Sequence, residues 1–233
     1  LSNKNIKNIC FYEKPLRSWL TVIKHSVKIN KMNNDLTRNY YKNIWKSSII
    51  FRYDISKFKE LNKIPIYYLE HHMSHTLSAL YYNEYPCVSI VVDGFGDQFC
   101  TSIHHVLKEN NIKELWTSEY PHSIGLFYSA ITDYLGFAVN EGEYKVMGFA
   151  AFGKPIYYEE LQKTIKIEDD KLILDTKYYD FVRSTKNSYS LKLQDIFKIP
   201  PRESHLPLEI GDKDFNDYAN IAASAQKVTE KLL

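Results

Sequence analysis

His71 and His75 stand four residues apart in the segment HHMSH, and Asp93 closes the apolar run CVSIVVD downstream. At about 100° per residue, His71, His75, Ser78 and Tyr82 share one arc of a helix, while Met73, Leu77 and Leu80 take the opposite side. Two imidazoles at i and i+4 can reach one metal ion, the device of HExxH helices, although the central Glu is absent here. An isolated HxxxH is equally compatible with surface or hydrogen-bonding histidines, and an isolated Asp-Gly with a plain turn. Together, two helical histidines and a strand-terminal carboxylate predict a three-ligand, partly open site suited to iron, manganese or zinc.

Gly94 and Gly96 follow Asp93 and are read as cofactor-binding positions where backbone can approach a phosphate. At PHSIG, His122 and Ser123 open a helix whose free N–H groups suit an anion, with an ordinary N-cap as the alternative. GEYKVMG sets Glu143 and Lys145 between glycines. That lysine can neutralise a phosphate and the glutamate can orient a hydroxyl or accept a proton, with a solvated ion pair as the alternative.

The elements that must position these residues follow from periodicity. Strands are expected from about Ile6 to Tyr12 and at IPIYYLE, a helix over HHMSHTLSALYY, and a buried strand at CVSIVVDG. QFCTSIHHVL and IKELWTSEY read as a hairpin joined by KENN. SIGLFYSAITDYLG reads as a helix opened by Ser123 and stopped by Gly136. Residues 16–60 predict two helices around the loop KMNND, with Ile44 and Trp45 among their apolar positions. NEGEYKVMGFAAFGKP reads as a functional loop entering a short helix. Residues 156–214 read as an insertion or surface subdomain containing a helix (IYYEELQKTI) and a strand (KLILDT). DFNDYANIAASAQKVTEKLL is an amphipathic helix rich in small residues.

With 233 residues, 44% hydrophobic and 25% charged, the chain can bury a full core. Its 30 basic and 28 acidic side chains leave a net charge of +2, so a nucleic-acid partner is not expected. No apolar run of about 18 residues and no signal-peptide pattern occur, so no membrane partner is expected and a cytoplasmic location is. Cys10, Cys87 and Cys100, without CxxC spacing, are expected as buried thiols and not as a disulfide framework or zinc site. The sequence starts at Leu1 and ends at Leu233 within a helical pattern, which leads us to expect a slice of a longer protein.

EHHMSHTLSALYY, VVDGFGD, PHSIGLFYSAITDYLGF and NEGEYKVMGFAAFGKP, in this order, resemble the carbamoyltransferases of the nodulation NodU and antibiotic O-carbamoyltransferase type. The resemblance runs from about Phe11 to Gly153, includes the upstream FYEKPL, and extends to AASAQKVTEKLL. It implies an α/β fold of the actin-like, sugar-kinase-like ATPase (ribonuclease H-like) type, incomplete in this chain. Residues 1–233 would be a partial carbamoyltransferase amino-terminal domain with an insertion at 156–214, lacking the YrdC-like carboxyl-terminal domain. In the family that second domain converts carbamoyl phosphate and ATP to carbamoyl-adenylate, and the present domain passes the carbamoyl group to a substrate hydroxyl in biosynthesis, releasing AMP. The resemblance makes His71, His75 and Asp93 ligands of a metal, iron first, with a further aspartate ligand beyond residue 233. Lys145 and the Ser123 helix start would support anions, and Glu143 or His72 would be the general base. Asp97 stands where the family has Glu, Cys100 where it has Thr, and FAAFG where LAPYG is common. The alternatives are a noncatalytic metal- and nucleotide-binding fragment and a relative acting in tRNA threonylcarbamoylation.

Overall fold

The computed structural model describes residues 6–28, 52–58, 61–81, 84–108, 111–184, 186–205, 209–211 and 213–233. The loop KMNND, Ile44 and Trp45, Tyr82, and Glu109 and Asn110 of the KENN connection lie outside the described residues. The chain divides into two units, Leu1–Tyr120 and Pro121–Leu233.

In the first unit, β1 (Ile9–Phe11) and β2 (Ile66–Tyr68) pair in parallel, with Phe11 opposite Tyr68. Parallel neighbours need a crossover, and helix Pro15–Lys28 lies in it. Pro15 holds the first helical position, where a missing N–H costs nothing. Val22, 1% exposed, marks the helix's inner face. β2 runs directly into helix His71–Leu80, whose buried residues His72, Thr76 and Leu80 recur at i, i+4 and i+8.

β3 (Cys87–Gly96), β4 (Phe99–Lys108) and β5 (Asn111–Glu119) form an antiparallel sheet in that order. The β-branched run of β3 predicts a buried strand. The structure instead leaves Val88 59%, Ile90 61% and Val92 39% exposed, while Val91 between them is buried. β3 is an edge strand among the described residues, and period-2 geometry sends only alternate side chains inward. Of the cysteines, Cys100 is buried, Cys87 is half-buried and Cys10 is exposed, so the buried-thiol expectation holds only for the first.

In the second unit, Ser123 caps helix Ile124–Tyr134 by accepting the Leu126 N–H at 3.0 Å, and Gly136 with φ +69° follows its end, as the sequence predicts. Helix Glu143–Ala150 comes next, then helix Tyr158–Leu161, the hairpin of β6 (Ile165–Glu168) and β7 (Lys171–Leu174), helix Leu193–Phe197 and helix Lys213–Leu232. Segment 156–214 contributes large side chains to the core of the second unit. Its Leu161, Ile165, Tyr179, Leu193 and Phe197 are all buried, with Tyr179 against Phe127 and Phe197 against Tyr134. Burying these large apolar side chains removes them from water, which favours the packing of this segment. The small residues of the last helix permit close approach: a Cβ on Gly153 would sit 2.0 Å from the Ala219 carbonyl oxygen. No helix among the described residues is long and apolar enough to cross a membrane.

Candidate metal centre

The first turn of helix His71–Leu80 is fixed from outside itself. Glu70 occupies the N-cap but makes no side-chain cap, and its carboxylate pairs with Arg17. The orphan N–H of His71 donates instead to Asp97 Oδ2 at 2.8 Å. Asp97 Oδ1 accepts the Lys14 N–H at 2.7 Å, and the Ser18 hydroxyl lies 3.4 Å away. One carboxylate, 1% exposed, thus serves the starts of two helices. It sits in the β3–β4 turn with φ +56°, a conformation Asp tolerates better than most side chains.

Asp93 is aimed by a β-bulge. Regular pairing of β3 with β4 ends at Val92 opposite Thr101 and resumes only at Gly96 opposite Phe99. Asp93 lies in the interruption, where a strand bends and can redirect a side chain. Its Oδ2 is 2.7 Å from His71 Nε2 and 3.6 Å from His75 Nε2, and the two Nε2 atoms are 3.1 Å apart. Among the described residues these three form a group able to hold a metal ion.

Hydrogen bonding alone serves this triangle poorly. A single ring nitrogen either donates or accepts in its plane, so His71 Nε2 cannot donate to Asp93 and also accept from His75. A cation bonded at about 2.1 Å would space its donors about 3.0 Å apart at right angles and about 3.4 Å at tetrahedral angles. The observed spacings bracket those values, and imidazole with carboxylate suits a borderline transition metal. The residues present therefore fit a metal. His71 Nδ1 is buried without a hydrogen-bond partner among the described residues, whereas a ligating histidine normally has one there.

The electrostatics show Asp93 and His71 favouring each other's charged forms. The hydrogen bond with His71, opposed by burial and helped by the Gly94 N–H, holds the Asp93 carboxyl down at about 2. The same hydrogen bond raises His71 above its ordinary value despite burial. Burial and the nearby Asp97 charge push Glu13 up. The Tyr12 ring meets the His71 ring edge-on at 5.7 Å.

The remaining predicted residues have other occupations. His72 is 1% exposed and faces the sheet, its Nδ1 2.8 Å from Ser102 Oγ, and burial lowers it to about 4. Gly94 gives its N–H to Asp93 Oδ1 at 2.6 Å. At Gly96 a Cβ would lie 2.1 Å from His71 Cδ2, so the missing side chain makes room for an imidazole. In the second unit, His122 Nδ1 accepts the Leu174 N–H at 3.1 Å, and Ser123 is fully buried under its capped helix. Glu143 accepts from the Ser129 hydroxyl at 2.8 Å, the Asn140 N–H at 3.0 Å and the Gly142 N–H at 3.2 Å. Burial alone would raise Glu143, but these donors outweigh it and leave the carboxyl below its ordinary value. Lys145 is exposed, with the Tyr144 ring centroid 5.9 Å from its Nζ. The structure brings His71, His75 and Asp93 together with Gly94 and Gly96 beside them, turns His72 away, and places His122, Ser123, Glu143 and Lys145 in the other unit. Asp97 is the site residue whose role sequence reasoning missed; its only signal was its place in the Asp-Gly-x-Gly-Asp turn.

The chain matches the family described as "Carbamoyltransferase N-terminus" over residues 1–233. It belongs to that family. This carbamoyltransferase amino-terminal chain is 31% identical over 246 residues to the uncharacterized protein sll1178 of Synechocystis, covering 100% of this chain and 38% of that protein. It is 33% identical over 103 residues to the nodulation protein NolNO of Sinorhizobium fredii, covering 44% of this chain and 15% of that one. The nodulation protein NolO of Bradyrhizobium diazoefficiens is 35% identical over 94 residues, 40% of this chain and 17% of its own length. The carbamoyltransferase amino-terminal chain thus spans less than two-fifths of each relative.

Proposed function

We propose that this chain is part of the transfer domain of an O-carbamoyltransferase and that its His71, His75 and Asp93 hold a transition metal, iron first, with manganese or zinc as substitutes. The carrying observation is the convergence of two Nε2 atoms and one carboxylate oxygen within 3.6 Å in a chain of this family. In this reading the chain forms part of an actin-like, ribonuclease H-like α/β fold. A YrdC-like domain elsewhere in the protein supplies carbamoyl-adenylate from carbamoyl phosphate and ATP.

The reaction is an acyl transfer. The acceptor hydroxyl oxygen bonds to the carbamoyl carbon, the bond from that carbon to the adenylate oxygen breaks, the hydroxyl proton passes to base, and AMP leaves. A bound metal supplies Lewis-acid stabilisation of negative charge on a phosphate or carbamoyl oxygen. Asp97 and Gly96 hold His71 in place, one through its N–H and the other through space for its ring. Lys145, exposed and cationic in the second unit, is available to an anion there. The proton acceptor is assigned to neither His72, sealed against Ser102, nor Glu143, whose oxygens are engaged in capping.

The test uses the full-length protein with carbamoyl phosphate, ATP and a panel of hydroxyl acceptors. AMP formation that disappears with the bound metal in His71→Ala/His75→Ala is the expected result. Equal metal content in wild type and the double variant would remove the site, and no AMP with any acceptor would remove the transferase reading.

A further inference from the structure

A cleft of about 230 Å³ opens in the first unit between one face of helix Pro15–Lys28 and the chain at Gln98 and Glu119–Tyr120. Arg17, Thr21 and Lys24 recur at i, i+4 and i+7, so one stripe of the helix lines it with two cations, while the Thr21 hydroxyl donates to the Arg17 carbonyl oxygen at 3.0 Å. Arg17 gives Nη1 to Glu70, which leaves the rest of its fork, and Lys24 has no ion-pair partner among the described residues. The opposite wall is of different character. There Gln98 Nε2 donates to Glu119 Oε1 at 2.7 Å, and the Tyr120 ring is wedged between His25 at 5.2 Å and Phe95 at 4.9 Å.

A guanidinium and an ammonium on one wall match the several oxygens of a tetrahedral oxyanion. An anion alone would leave Glu119 facing it as a like charge. A ligand that also carries hydroxyls turns that carboxylate and the Gln98 amide into acceptors, and the rigid Tyr120 ring offers a surface for a sugar's C–H face. We propose that this cleft binds a small phosphorylated polyol, a sugar phosphate in chemical class, with the phosphate on Arg17 and Lys24 and the hydroxyls on Glu119 and Gln98. None of these residues is a ligand of the metal centre, so the site stands apart from the transferase reading.

Glucose 6-phosphate, inorganic phosphate and glucose serve as probes in calorimetric titrations of the purified protein. Glucose 6-phosphate should saturate one site and bind more tightly than phosphate. Lys24→Glu should weaken it at least about tenfold, a difference well within calorimetric reach. Glu119→Gln should erase most of the preference over phosphate while leaving phosphate binding in place. Lys57→Glu, which reverses an exposed cation outside the cleft, should change nothing. His71→Ala/His75→Ala should also leave the titration unchanged, which separates this site from the metal centre. Absence of saturation with both phosphates overturns the proposal, as does an equal loss in Lys24→Glu and Lys57→Glu.

Discussion

Asp97 Oδ2 accepts the backbone N–H of His71 at 2.8 Å across 26 residues of sequence, and so caps the helix that presents both histidines. The helix's own N-cap residue, Glu70, supplies no such bond. The first ligand of the candidate centre is therefore held by a turn between two strands and not by its own neighbours.

Removing that carboxylate strands the donors of Lys14, Ser18 and His71 together. Each buried donor left unmade costs about 1–3 kcal/mol, so Asp97→Ala should lower unfolding free energy by at least about 2 kcal/mol. Urea denaturation followed by circular dichroism checks this, and a loss below about 0.5 kcal/mol, the scale of an ordinary surface change, contradicts the double-cap role.

Gly96→Ala places a methyl 2.1 Å from His71 Cδ2 and 2.5 Å from its Cγ. The ring must leave its position, so metal affinity should fall at least about tenfold, the scale seen when a ligand's support is lost. Competition titration with a chromogenic chelator reads the change. Wild-type affinity in the variant would show that His71 does not need its present place to bind.

Asp93→Asn keeps the side chain's shape and removes its charge. Metal content after purification without chelators should drop sharply, while His205→Ala, an exposed histidine outside the cluster, should leave it unchanged. Equal content in all three proteins would mean that the triangle is not where metal binds.

The pH dependence of stability should carry a contribution from Glu143. Its carboxyl lies below the ordinary value in the fold because the Asn140, Gly142 and Ser129 donors outweigh burial. A depressed carboxylate stabilises fully above the unfolded value of about 4.5 and loses that contribution as pH falls through the folded value. Glu143→Gln should destabilise at pH 7 and flatten the acid limb below about pH 4.5, read as thermal midpoints across pH. An unchanged acid limb would show that these bonds do not favour the ionised form.

Local pattern made much of this legible. The i, i+4 spacing put His71 and His75 on one face, whereas Asp93, expected at a strand end, lies inside β3, which runs on to Gly96 through the bulge that turns its carboxylate. Ser123 and Gly136 bounded their helix because capping is decided within a few residues. Asp97 escaped because its partners lie 26, 79 and 83 residues away, and no periodicity encodes such a bond. Gly96 was expected to admit a phosphate, yet the contact that demands glycine there is the His71 ring, a matter of tertiary packing. His72 shares the motif with the ligands but takes the buried side of the helix, which a run of adjacent histidines conceals.

The interruption of the β3–β4 ladder between Val92 and Gly96 has a meaning for how the family can vary. Elsewhere along β3 each side chain's direction is dictated by its pairing partner, and altering one position disturbs the register of its neighbours. Inside the gap the regular register lapses after Val92 and resumes only at Gly96. The register that threads the sheet therefore does not by itself fix which chemical group is offered at this end of the hairpin.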